Sequence, residues 1–322
     1  MGRKRHKGNP VNGWVNLDKP TGLTSTQALG KVRRYMNAGK AGHAGTLDPL
    51  ATGILPIALG EATKTIPYVQ DAIKSYQFTV KWGAQSNTDD SEGEIIATSD
   101  LRPSEDAITA LLPNYTGEIT QTPPQFSAIK IDGQRAYDLA RKGEDVKIKS
   151  RTVYIESLTL DEHTADESVF TVVCGKGTYV RSLARDFGAN LGCYGHIIAL
   201  RRLSVGGFRE NDAISLDKLQ QMYDSAATVD GTQVLETVEA EQPLDYLLPI
   251  ETALDDILAI PLNDNEVATL RCGQSLSFIS KGDFHRVEGM NGEIALAVHD
   301  DNPVGIVSIE GPTVKTVRLF NL

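Results

Sequence analysis

The chain has 322 residues, 40% of them hydrophobic, a formal net charge of −10 and three cysteines. That length and apolar content can build two domains, or one large domain with an appendage, and they exclude a disordered chain. Cys174, Cys193 and Cys272 are far apart, with no C-x-x-C pair and no His/Cys cluster at ligand spacing, so neither a disulfide framework nor a structural zinc site is indicated.

The N-terminal segment, residues 1–11, is basic. No apolar signal-peptide core follows it and no later run reaches membrane-spanning length, so a cytoplasmic protein without a membrane partner is expected. Thr24 or Ser25 can cap a helix running to about Tyr35. Ser75 to Trp82 approximates the period-two alternation of a strand. Gly83 to Gly93 is polar and acidic and reads as a turn region. Ser104 can cap a helix through Leu112. Gln121-Thr122-Pro123-Pro124-Gln125 cannot lie inside a regular helix or a central strand. Arg135 to Arg141 has a helical pattern, Val153 to Leu160 and Ser168 to Val173 alternate, and Tyr179 to Leu191 is helical again. Strands and helices are mixed without strict alternation, which predicts an α+β domain on an antiparallel or mixed sheet.

Asp224 to Pro243 is polar, acidic and poorly patterned. After it come short strand-like runs punctuated by glycine: Ser275 to Ile279, Ile294 to Val298, Val304 to Ile309 and Val314 to Phe320. The expected organisation is a catalytic domain over 1–223, an acidic linker over 224–246 and a small β-rich domain over 247–322. Charge divides along similar lines. Residues 211–322 carry 19 acidic and six basic side chains, whereas residues 1–210 carry 23 acidic and 26 basic. A basic first part can meet phosphates while an acidic second part keeps the molecule soluble, which favours RNA or DNA as a partner.

Asp48 lies in an apolar stretch, Ala41 to Gly60. A carboxylate there needs backbone donors, a cation or a raised pKa. The alternative is a turn-forming aspartate before Pro49. In Lys176-Gly177-Thr178-Tyr179-Val180-Arg181, the glycine and Thr178 suggest a strand-to-helix turn with Thr178 near the cap. Arg181 then falls in the first turn, where the helix dipole disfavours a cation. Either a specific anion holds it, or it contacts Arg185 or Asp186, or it is simply exposed. Tyr76 opens an alternating strand, where most tyrosines are core residues with a bonded hydroxyl. His43, between glycine and alanine, can be a ligand, a base or a stacking plane for a nucleobase.

The run Gly42-His43-Ala44-Gly45-Thr46-Leu47-Asp48-Pro49-Leu50-Ala51-Thr52-Gly53 resembles the signature of the TruB-type tRNA pseudouridine-55 synthases. Further matches follow in the family's order: Asn16-Leu17-Asp18-Lys19-Pro20, Lys74-Ser75-Tyr76, Thr88-Asp89 with Gly93, Pro123-Pro124 with Phe126 to Lys130, Gly177 to Leu183, and Leu200-Arg201-Arg202. Together they cover roughly residues 12–209. The resemblance implies an isomerase that converts uridine to pseudouridine in the T-loop of tRNA and needs no cofactor or metal. It makes Asp48 the essential carboxylate, Arg181 its ion-pair partner, and Tyr76 a residue packed on the target base that also serves as acid or base at C5. His43, Tyr179 and Leu200 match substrate-contacting positions, and Lys19, Lys64 and Lys130 match supporting ones. A PUA-like C-terminal domain is implied, on the looser match of Leu248-Pro249-Ile250-Glu251-Thr252-Ala253-Leu254 and Arg271-Cys272-Gly273-Gln274. The tRNA T-arm is the implied partner, without an obligate protein or guide RNA. The rival is a tRNA-folding protein that keeps the scaffold and dispenses with essential catalysis. It would not need Asp48, Tyr76 and Arg181 together.

Overall fold

The computed structural model describes residues 8–127, 129–131, 134–137, 148–228 and 242–322. Its strands are β1 (Gly13–Lys19), β2 (Ala41–His43), β3 (Thr52–Leu59), β4 (Lys74–Trp82), β5 (Ala84–Ser86), β6 (Ile95–Thr98), β7 (Gly117–Gln121), β8 (Lys130–Ile131), β9 (Gln134–Arg135), β10 (Arg151–His163), β11 (Glu167–Cys174), β12 (Gly195–Val205), β13 (Phe208–Arg209) and β14 (Ile214–Ser215). The helices that position the site are α1 (Ser25–Tyr35), α2 (Ile66–Asp71), α3 (Glu105–Leu111), α4 (Val180–Asn190) and α5 (Leu216–Thr228).

One large sheet runs in the order β14-β1-β3-β12-β4-β11-β10-β7, with β2 joined to β3 and β13 to β12. Only the β1–β14 and β3–β12 pairings within it are parallel. The mixed α+β architecture is thus the one expected. Thr24 caps α1 in a full capping box with Gln27, and Ser104 caps α3.

Helix α4 lies on the sheet through Val180, Leu183, Ala184 and Phe187, all buried. Phe187 meets Phe170 of β11 at 5.4 Å, and Phe170 stacks on Phe78 of β4 at 5.3 Å. Each such side chain contributes roughly 1.5–3 kcal/mol through burial, so the aromatic stack fixes the helix that carries Arg181. The helix can come this close because residue 188 is glycine: a Cβ there would lie 2.2 Å from the Gly195 nitrogen.

Three local expectations change. The N-cap of α4 is Tyr179, with no side-chain cap, because the Thr178 hydroxyl instead donates to the Gly175 carbonyl. Arg135 belongs to β9, Ala136 and Tyr137 are helical, and the rest of the expected 135–141 helix lies outside the described residues. Helix α5 extends to Thr228, into the stretch expected as linker, and residues 229–241 lie outside the described ones.

The C-terminal part is a five-stranded sheet, ordered β15-β17-β18-β19-β16, formed by Leu258–Pro261 (β15), Leu276–Ser277 (β16), Ile294–His299 (β17), Asn302–Glu310 (β18) and Thr313–Leu319 (β19). It has its own core around Ile260, Leu270, Val307 and Ile309. A second cluster joins it to the large sheet, packing Trp14, Ile54 and Phe208 with Ile250, Leu254, Leu296, Ile306 and Phe320. The Trp14 and Leu248 backbones exchange two hydrogen bonds of 2.8 Å across the same junction. No described helix is long and apolar enough to cross a membrane.

Strand β3 starts beside β12, where Gly53 has φ of +96° and a Cβ would lie 2.1 Å from the Arg202 carbonyl oxygen. Gly53→Ala should therefore destabilise the protein by about 1–3 kcal/mol, read as a lower urea midpoint at unchanged slope. A midpoint equal to wild type would show that this contact yields without cost.

Candidate active site

Asp48 sits in the loop between β2 and β3, and each of its neighbours is held. The Ser25 hydroxyl at the start of α1 accepts from the Leu47 nitrogen at 2.8 Å and donates to the Leu47 carbonyl at 2.9 Å. The Pro49 carbonyl accepts from the Gly22 nitrogen at 2.8 Å and lies 3.4 Å from Lys19 Nζ. The Asp48 carbonyl accepts from the Ala51 nitrogen at 3.1 Å. Its backbone thus makes the turn that a pre-proline aspartate favours, and this leaves the carboxylate for another partner.

That partner is Arg181, in the first turn of α4. Its Nε lies 2.9 Å from Asp48 Oδ2, an ion-pair contact in which the N–H direction misses hydrogen-bond geometry, while Nη2 donates to Oδ1 at 3.3 Å. The guanidinium also donates to the carbonyls of Thr88 and Phe126, each at 2.9 Å, and Nη1 lies 3.3 Å from Asp90 Oδ2. The Arg181 side chain is 6% exposed, that of Asp90 3% and that of Asp48 35%. Burial pushes the Asp48 carboxyl above its ordinary value, and Arg181 opposes that push. The first-turn cation therefore has two anions and two carbonyls to offset its unfavourable place on the helix dipole. Arg185 makes separate contacts, to Asp89 at 3.0 Å and Asp186 at 2.9 Å.

The site opens as a cleft of about 580 Å³ whose lining includes Asp48, Tyr76, Tyr179, Arg181, Leu200 and Arg202. Tyr76 is half-buried on β4, with its phenol pushed above the ordinary range chiefly by burial. Leu200 is buried on β12. Tyr179 is gripped by the buried Gln121 side chain, which accepts from its nitrogen at 2.8 Å and donates to its carbonyl at 3.1 Å, and the Arg151 guanidinium lies 5.0 Å from its ring centre.

Four expected residues stand apart from that lining. His43, on β2, is half-buried with Nδ1 lacking a partner among the described residues, and burial with nearby Arg202 lowers its pKa. Lys19 is fully buried, donating to the carbonyls of Pro20 and Leu23 at 2.8 Å, so it braces the loop; burial lowers its pKa to about 8. Lys64 pairs with Glu61 at 2.5 Å and donates to the Leu319 carbonyl at 2.7 Å, which ties the large sheet to the C-terminal one. Lys130 lies on β8, and its side chain is outside the described residues.

Sequence reasoning missed Asp90, Gln121, Arg151, Lys74 and Arg202. Asp90 was hidden in an acidic stretch that reads as a solvated turn. In fact Asp89 takes φ of +61°, its carbonyl accepts from the Ile197 nitrogen at 3.1 Å, and Asp90 is folded inward. The pair Arg201-Arg202 was visible as a motif, yet nothing in it says which arginine faces inward. Among the described residues no group of His, Cys, Asp and Glu is placed to hold a metal ion.

The fold is that of a pseudouridine synthase. Residues 33–180 match the TruB family pseudouridylate synthase (N terminal domain), and residues 181–255 match the tRNA pseudouridylate synthase B C-terminal domain. A tRNA pseudouridine synthase B of Bradyrhizobium diazoefficiens is 56% identical over 85% of this chain and 79% of its own. One of Mesorhizobium japonicum is 49% identical over 99% of both chains. A solved Cbf5–Nop10–Gar1 complex contains a chain of the same fold, with a TM-score of 0.70 and 26% identity, covering 95% of this chain and 84% of that one. The chain belongs to the TruB family. It is an isomerase that makes pseudouridine in tRNA, with a PUA-like C-terminal domain.

Arg181→Met would strand the buried Asp90 carboxylate. The expected loss is about 3–5 kcal/mol, the scale for breaking a buried ion pair, in chemical denaturation. Adding Asp90→Asn to Arg181→Met should return part of it. If the single variant unfolds at the wild-type midpoint, the guanidinium is not the anchor described here.

Proposed function

We propose that the enzyme acts on one uridine of the tRNA T-loop, position 55, with Asp48 as the essential carboxylate. The observation that carries this reading is Asp48 itself, held at a cleft of one-nucleotide size and paired with a buried arginine. The C1′–N1 bond breaks, the uracil turns and a C1′–C5 bond forms, so atoms and oxidation state balance without an added group. A loop base must first leave its stack, at a cost of a few kcal/mol. Tyr76, Tyr179 and Leu200 then offer apolar and aromatic surface to the extruded base, while His43 offers a ring to the place it left. Tyr76 receives the proton that C5 loses. Lys19 and Lys64 support the site as braces, and Lys130 has a supporting role in phosphate contact or packing. Action is on tRNA directly, without a guide RNA or an obligate protein partner. The expected division into a catalytic domain, a linker and a C-terminal domain is retained, with α5 closing the first.

Unmodified tRNA carrying tritium at C5 of uridine tests this reading. Tritium should pass to water with no free uracil, and a released base would indicate a hydrolase instead. Asp48→Asn should bind tRNA nearly as wild type and release no tritium; turnover at even a tenth of the normal rate would remove Asp48 from its role.

The pH profile gives a second check. A carboxyl raised by burial loses its charge at a higher pH than a free one, so kcat/KM should fall on the acid side with a midpoint above 3.8. Asp89, raised to about 6 by burial, titrates nearby, and Asp89→Asn removes its contribution. An acid limb in that variant at or below the ordinary carboxylate value would contradict the assignment.

A further inference from the structure

Arg202 is 1% exposed and lies on the cleft side of the sheet, yet the mechanism above gives it no task. In the antiparallel pairing of β12 with β4 its direct partner is Tyr76, so the two side chains share one face of the sheet. On its other side Arg202 pairs with Gly53 of β3, the last residue of the Asp48 signature. The guanidinium is fixed by two carbonyls. Nε donates to Ile54 at 2.6 Å, and Nη2 donates to Gly45 at 3.1 Å. Both acceptors flank the Asp48 loop. Within β12 the two adjacent arginines divide their work: Arg201 turns to Asp18 and Glu210 at the surface, at 3.0 and 2.5 Å, while Arg202 turns inward.

Packing alone does not call for a guanidinium here. Taking a cation to 1% exposure beside a tyrosine is costly, and an apolar side chain would fill the space between strands. The groups that face the Tyr76 phenol are Arg202 from β12, Cys174 from β11 and Asp48 from the signature loop. The thiol and the carboxylate both disfavour a phenolate, and burial disfavours it most. Arg202, the direct cross-strand neighbour of Tyr76, opposes all three by its charge.

We propose that Arg202 is a positioning residue that makes Tyr76 a competent proton acceptor: anchored on the Ile54 and Gly45 carbonyls, its guanidinium holds and stabilises the phenolate that takes the C5 proton. The step balances. After the C1′–C5 bond forms, the phenolate oxygen bonds the hydrogen on C5, the C–H pair restores the C5=C6 double bond, and the phenol returns its proton to solvent. N1, freed from C1′, ends protonated. The same two carbonyl bonds hold the guanidinium between the Asp48 loop and the strand that carries Tyr76. This inference rests on the reading in which Tyr76 receives the C5 proton.

The test is a titration of Tyr76 in protein labelled with 13C at the tyrosine ζ carbons, with Tyr76→Phe identifying its signal. In Arg202→Met the phenol should ionise at least about one pH unit higher, which is tenfold less phenolate at a given pH. Arg202→Lys should recover most of the shift. Single-turnover release of C5 tritium should fall about tenfold or more in Arg202→Met, and the same substitution should cost clearly less in a Tyr76→Phe background, where only the loss of the Ile54 and Gly45 anchors is felt. Should the methionine variant fail to fold, Arg202→Gln and Arg202→Lys carry the same titration. An unmoved Tyr76 titration in a folded variant overturns the role of Arg202 while leaving Tyr76 as acceptor. Wild-type tritium release from Tyr76→Phe overturns the acceptor reading and the inference with it.

Discussion

The site is organised by the need to neutralise one buried guanidinium. Arg181 is carried inward because α4 is pinned to the sheet by Phe187 and its neighbours. A charge at 6% exposure persists only when its hydrogen-bonding directions are met. Three separate chain segments supply its partners: Asp48 from the signature loop, Thr88 and Asp90 from the turn between β5 and β6, and Phe126 from the segment after the double proline. The arginine ties those segments to one another at the cleft. Removing it would take the shape of the cleft along with the charge.

The aspartate is held equally firmly from behind. Ser25 fixes Leu47, Gly22 and Lys19 fix Pro49, and Arg202 fixes Gly45. Each clamp is a backbone contact, so the carboxylate is aimed by its main chain and not by packing of its own short side chain. Such preorganisation is what a reaction that breaks and remakes a bond at one carbon requires, because the sugar and base must stay in register while the ring turns. Lys19 shows the cost of the arrangement. Although carbonyls accept from it, burial away from water destabilises its ammonium enough to bring its pKa to about 8.

Much of this was legible in the chain. Helix caps at Thr24 and Ser104, the strand at 75–82 and the first-turn position of Arg181 follow from local patterns, and local patterns are what a sequence displays. The family signature then assigned Asp48 and Arg181 to each other, and the structure brings them to 2.9 Å. What stayed hidden depends on contacts distant in sequence. Asp90 looks like any acid in a polar turn until Arg181, 91 positions later in the chain, draws it inward. Gln121 gives no sign of gripping Tyr179, and Arg201 and Arg202 differ only in which face of β12 each occupies. Conversely, Lys64 and Lys19 matched a pattern without revealing that their ammonium groups are spent on internal carbonyls.

An acidic protein that acts on tRNA must still draw in a polyanion. The cleft is rich in cations, yet Arg181, Arg202 and Lys74 are all committed to internal carbonyls or carboxylates. Their charge is already balanced inside the fold, so they are poorly suited to drawing in phosphates from a distance. What the cleft presents instead is aromatic and apolar surface around one carboxylate, which suits an uncharged base turned out of its stack. Attraction over distance must come from cations that are still exposed, and Lys31, Arg33 and Lys40 are exposed in the basic first part of the chain. The acidic C-terminal part is joined to that half through an apolar core around Trp14, Phe208 and Leu254, so its charge need not approach the cleft to stabilise the fold. The exposed cations of the first part of the chain are thus distinct from those that line the cleft, and the overall charge of −10 describes neither group.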